Sequence, residues 1–91
     1  MAQKTTRYRK EVGARLFKNI RAELKRRKRS PTTEWQLVHL VYEINPRLSA
    51  KSTIAEWFTG DEPKPYRVPA IALTAIALAL GTTVDQLMDG V

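Results

Sequence analysis

The chain has no cysteine, a single histidine and only nine acidic residues. Without cysteine there is no disulfide scaffold and no Cys-based zinc finger, and the composition fits a reducing cytoplasm, the expected compartment. The longest apolar run, residues 68–80, falls short of the roughly 20 residues that a membrane-crossing helix needs, so no membrane partner is expected. No hydrophobic segment follows the charged N-terminus, so no signal peptide is expected. His39 lies within an apolar helical pattern and reads as a packed or boundary residue. No Ser has an evident catalytic partner, no Gly-rich loop could cradle a phosphate, and the acids lack metal-ligand spacing. An enzyme is therefore not expected, nor a metal, a cofactor or a small-molecule ligand. No segment alternates with period two and no repeat is present, which argues against a sheet or a solenoid.

What the chain does have is basic charge and enough apolar residues to fold. At 91 residues and 43% apolar, with two Trp, it can build one small core and no second one. Its 16 Lys and Arg leave a net charge of +7. Residues 1–30 hold twelve basic residues against Glu11 and Glu23, a net of +10. Residues 31–91 hold Arg47, Lys51, Lys64 and Arg67 against seven acids, a net of −3. A polyanionic partner facing the first third of the chain is the expectation. An anionic membrane surface and a merely solvated basic face are the competing readings of charge alone.

Apolar spacing organises the rest. Residues 1–11 read as a flexible basic arm and 12–91 as the folded domain. Val12, Leu16, Ile20 and Leu24 recur every four residues, with Phe17 widening the stripe, and predict a first helix fading in the run Lys25 to Arg29. Ser30-Pro31 suits a helix start, with Thr32 or Thr33 as a slightly later cap. The second helix carries Trp35, Leu37, Val38, Leu40, Val41, Tyr42 and Ile44, and Asn45-Pro46 ends it. A short third helix follows, capped by Ser49, with Ile54, Trp57 and Phe58 inward and Gly60 as its stop. After the Pro-rich stretch 61–67, Pro69 opens an Ala-rich fourth helix closed by Gly81, and Thr83 caps a last one. The expected fold is all-α with five helices. Leu16, Ile20, Leu37, Val41, Ile54, Trp57, Phe58, Leu73, Ile76 and Leu80 are its expected core.

Helix, short connection and short helix, beside a basic helix end, form a helix-turn-helix arrangement in which the second of the two enters the major groove. The stretch STIAEWFTG (52–60) is similar to the recognition helix of the Cro and phage-repressor (XRE-type) family. LTAIALALGTTVDQLM (73–88) is similar to that family's closing pattern, and VGARLFKNIRAEL (12–24) resembles its first helix. The resemblance covers residues 12–88 and implies a compact lambda-repressor-like domain that binds double-stranded DNA as a transcriptional regulator. Two departures stand out. The connection INPRLS lacks the usual Gly and is at least one residue longer, and Asp61 and Glu62 follow the third helix, where the family is often basic.

With Ile54, Trp57 and Phe58 inward, a helical wheel turns Ser52, Ala55, Glu56 and Thr59 outward and puts Lys51 and Thr53 on the flanks. Lys51 can donate to guanine, Ser52 and Thr53 to either type of base edge, and Glu56 can accept from cytosine. By resemblance, Lys51, Ser52 and Glu56 match positions that read bases. Arg26, Arg27, Lys28 and Arg29 precede the second helix, whose free N–H groups with Ser30 or Thr33 can hold a phosphate. Arg47 in the connection is a further phosphate contact, and Arg7, Arg9 and Lys10 can reach along a groove. A two-fold dimer is the expected assembly, formed in solution or only on DNA, with the last helix and its Leu87 and Met88 as its surface. A nonspecific architectural DNA-binding protein and an antitoxin-like or anti-repressor protein-interaction module are the alternative readings.

Overall fold

A computed structural model describes residues 10–90. It is all-α among these residues: α1 (Lys10–Arg26), α2 (Glu34–Ile44), α3 (Lys51–Phe58), α4 (Leu73–Leu80) and the single-turn α5 (Val84–Leu87). Two 3-10 turns, Pro65–Arg67 and Ala70–Ala72, join α3 to α4. The first helix starts two residues earlier than its apolar pattern, so Lys10 belongs to α1 and not to an arm. Arg7 and Arg9 lie outside the described residues.

Each helix buries most of the face that its spacing marks, although Ile44, at the last position of α2, is exposed. α1 buries Gly13, Leu16, Ile20 and Leu24, and α2 buries Leu37, Val38 and Val41. α3 buries Ile54, Trp57 and Phe58, with Trp57 edge-on to Phe58 at 5.9 Å and Phe58 stacked on Phe17 at 6.2 Å. α4 is apolar almost all round and buries six of its eight residues. All ten expected core residues are buried, and no polar or charged side chain is buried among the described residues. α2 packs on both α3 and α4, while α1 packs on the Pro65–Arg67 turn and on α5.

Caps explain most of the helix ends. The Thr33 hydroxyl accepts from the Gln36 amide at 3.2 Å, so α2 begins after Thr33. Pro31, after a cis peptide bond, lies buried in the connection instead of in the first turn of α2. Thr83 caps α5 through the Gln86 amide at 3.1 Å. Ser49 does not cap α3; the cap position is Ala50, with no side-chain hydrogen bond, and the helix spans 51–58 instead of 49–59. Gly81 ends α4 in the left-handed region, at φ 69°, which a β-carbon disfavours.

Two tertiary contacts have no periodic signature. A β-carbon on Gly13 would stand 2.5 Å from the Tyr66 Cα, so α1 and the Pro65–Arg67 turn approach over a residue that has only hydrogen there. The Arg27 guanidinium donates to the Leu80, Arg29 and Ser30 carbonyls. It thereby closes the C-terminal end of α4 and ties it to the α1–α2 connection. The Asn19 amide donates to the Leu87 and Asp89 carbonyls at 2.7 and 2.9 Å, fastening α5 to α1.

Gly13→Ala should therefore cost about 1–3 kcal/mol, the usual penalty for overpacking, measured by urea denaturation. A variant as stable as the parent would mean that α1 and Tyr66 lie further apart. Arg27→Ala should lose about 1–3 kcal/mol through its orphaned carbonyls, while Arg26→Ala changes stability by less than about 0.5 kcal/mol. Equal melting temperatures for the two variants would contradict the bracing role of Arg27.

Candidate nucleic-acid interface

The side chains that could meet a polyanion sit at the two ends of α2. At its start lies the basic cluster that closes α1. Lys25, Arg26, Lys28 and Arg29 are exposed, and Arg26 is only loosely held, 3.5 Å from Glu23. Arg27 differs from its neighbours because its guanidinium is engaged by three carbonyls and is half-buried, so it serves the fold before any ligand. Ser30 is exposed, with its carbonyl accepting from Arg27. The start of α2 is already well supplied. Thr33 caps it, Gln36 accepts from both the amide and the hydroxyl of Thr32, and the Glu34 carboxylate lies 3.5 Å from Arg21. An anion there would meet Glu34, so the neighbouring cations and not the helix end are the better phosphate donors.

At the other end of α2, residues 45–50 turn the chain into α3. The Asn45 side chain accepts from the Arg47 amide at 3.2 Å, and the Arg47 side chain is exposed. The first turn of α3 is open: Lys51, Ser52 and Thr53 are all exposed, and no side chain caps their amides. Burial of Ile54, Trp57 and Phe58 locks the rotation of the helix and keeps these three residues turned outward. Trp57 is 2% exposed, so it is core and not a platform for stacked bases. Lys51 Nζ lies 5.7 Å from the centre of the Tyr42 ring, a cation–π contact that limits where the ammonium can go.

Further along α3, Glu56 remains exposed and pairs with Arg67 at 3.7 Å. Thr59 is placed differently from the wheel. It ends α3 half-buried, and its hydroxyl donates to the Ala55 carbonyl at 2.6 Å, so its donor is spent inside the helix. Asp61 and Glu62 are exposed, and neither makes an ion pair among the described residues.

Arg67 and Tyr42 are the interface residues that spacing does not reveal. Arg67 is eleven positions from Glu56 and reaches it because the Pro65–Arg67 turn folds back beside α3. Thr53, Glu56 and Arg67, with Ser49, line one shallow groove there. Tyr42 sits within an apolar helix pattern and becomes the partner of Lys51 only when α3 docks on α2.

The α1–α2 cluster precedes α2 in the chain and the first turn of α3 follows it, with the eleven residues of α2 between them. The molecule thus presents an exposed cationic cluster before α2 and the exposed Lys51, Ser52 and Thr53 after it. Among the described residues no cluster of His, Asp and Glu could hold a metal ion, and no helix is long and apolar enough to cross a membrane. No family model, no curated protein and no solved structure matches this chain.

Proposed function

We propose that the protein binds double-stranded DNA and prefers certain sequences, acting as a transcriptional regulator of the Cro and phage-repressor kind. The observation that carries this reading is the first turn of α3. It is uncapped and exposed, with Lys51, Ser52 and Thr53 outward, and a cluster of exposed cations precedes α2 in the same chain. A helix entering a major groove leads with its N-terminal residues, and short polar side chains there meet base edges while cations further out meet phosphates.

Roles divide accordingly. Lys51 and Ser52 donate to base edges, and Thr53 supports them. Arg26, Lys28, Arg29 and Arg47 hold phosphates. Glu56 is neutralised by Arg67, which lowers the cost of bringing a carboxylate near the duplex and leaves it able to accept from a cytosine amine. Affinity rests on the cationic cluster and selectivity on α3.

Binding to a pool-selected duplex and to random duplexes, over a salt series, tests the reading. A regulator prefers its selected site by at least about a thousandfold. An architectural protein would show steep salt dependence without preference, and a chain that binds no duplex at low salt would be a protein-interaction module. Lys51→Ala and Ser52→Ala should each lower discrimination at particular base pairs by about 1–3 kcal/mol with random-duplex affinity unchanged. Unaltered preference in both would mean that another element reads the bases. Replacing Arg26, Lys28 and Arg29 by Gln should weaken all duplexes alike and reduce the slope of log K against log salt by about 2–3.

A further inference from the structure

The last helix does not offer the dimer surface expected of it: Leu87 is fully buried and Met88 half-buried against the core. It is on α1 that the fold leaves charge without a partner. Spacings of three and four residues set Lys18 against Arg21 and Arg21 against Lys25, and like charges so placed weaken a helix. Arg21 meets Glu34 at 3.5 Å, but neither Lys18 nor Lys25 has an acid within 4 Å among the described residues. Between these cations lies an open depression of about 400 Å³, floored by Ala14, Phe17 and Ala22. Phe17 also borders the next depression, where Pro63 and Tyr66 continue the apolar floor and Glu62 is the one acid.

We propose that this depression takes an acidic, amphipathic segment of a partner protein. Its apolar side chains sit over Ala14, Phe17 and Ala22, and its carboxylates meet Lys18, Arg21 and Lys25. The cations select an anionic occupant, and the apolar floor selects a polypeptide over a nucleic acid. A phosphate backbone gains nothing from alanine and phenylalanine side chains. Base stacking, which would make an aromatic useful to a single strand, finds the rings already engaged. Phe17 packs on Phe58 at 6.2 Å and carries the Arg21 guanidinium at 5.6 Å, while Tyr66 has Lys10 and Arg67 over its ring at 5.5 and 5.9 Å. The chain's own first nine residues are unsuited, because they hold Lys4, Arg7 and Arg9 and no acid. A second copy would set +7 against +7. None of the residues that form the site takes part in the proposed DNA complex, so the partner and a duplex are bound by different side chains.

Amide shifts of the isotope-labelled full chain test this with three probes. They are a helical peptide of about 15 residues with Leu along one side and Glu along the other, the same peptide with Ser for Leu, and a thymidylate strand of about 15 nucleotides. The Leu–Glu peptide should shift Ala14, Phe17, Lys18 and Ala22 and saturate with a Kd on the order of 10–100 µM, as for small transient contacts. The Ser–Glu peptide should bind at least about tenfold more weakly, and the strand should leave Ala14 and Phe17 unshifted. Lys18→Glu combined with Lys25→Glu, and separately Ala14→Glu, should each weaken the Leu–Glu peptide at least about tenfold. Circular dichroism should not change, since all three residues are exposed. A chain that takes the peptide but binds no duplex leaves this proposal standing, so the two readings fail separately. It is overturned by a Leu–Glu peptide that shifts nothing at about 1 mM, by equal binding of the two peptides, by variants that bind like the parent, or by a strand that moves the same amides.

Discussion

The contact between α1 and Tyr66 is the constraint on which the rest of the arrangement depends. A backbone approach with no room for a β-carbon allows one residue type, and Gly13 supplies it in the first turn of α1. The close approach seats the Pro65–Arg67 turn against α1. That turn also packs on α3, and the chain leaves it through Val68, Pro69 and the Ala70–Ala72 turn into α4. The position of Tyr66 therefore decides where Arg67 stands, and through Arg67 how the carboxylate on the open side of α3 is neutralised.

The distribution of charge follows from the same packing. The run Lys25 to Arg29 is chemically uniform, yet its members do different things. Where the chain leaves α1, Arg27 turns inward and meets carbonyls that the end of α4 and the connection leave without partners. Its neighbours stay in solvent, free to meet a polyanion. Three acids have a partner, Glu23 within α1 and Glu34 and Glu56 across elements, each within 4 Å of an arginine, while Asp61 and Glu62 stay open beyond the end of α3. In the proposed complex the cationic cluster supplies attraction that any duplex would feel, and the nearly neutral α3 supplies discrimination.

The apolar surface is divided in a comparable way. α2 leaves Trp35 more than half exposed, tilted against the exposed His39 at 6.5 Å, so neither is the packed residue that an apolar helix pattern suggests. α4 exposes Leu78, and the 3-10 turn before it exposes Ile71. Only this pair forms a continuous uncharged stripe, whereas Trp35 borders Glu34 and Arg21.

Much of this was legible in the chain, because helix periodicity, capping and apolar burial are local or nearly local. Spacing located all five helices and every one of the ten core residues. The Thr83 cap, the Gly81 stop and the outward side of α3 followed from single residues and a wheel. Helix ends were less legible. α2 starts three residues after Pro31 because the Thr33–Gln36 pair outcompetes Ser30 as a cap, and α3 starts beyond Ser49 because Ala50 takes the cap position. Tertiary packing alone decided the use of Arg27, the Arg67–Glu56 pair, the Tyr42–Lys51 contact and the need for glycine at position 13. Each joins residues that no period relates, and the energy of each exists only once two backbones have been brought within a few ångströms of one another.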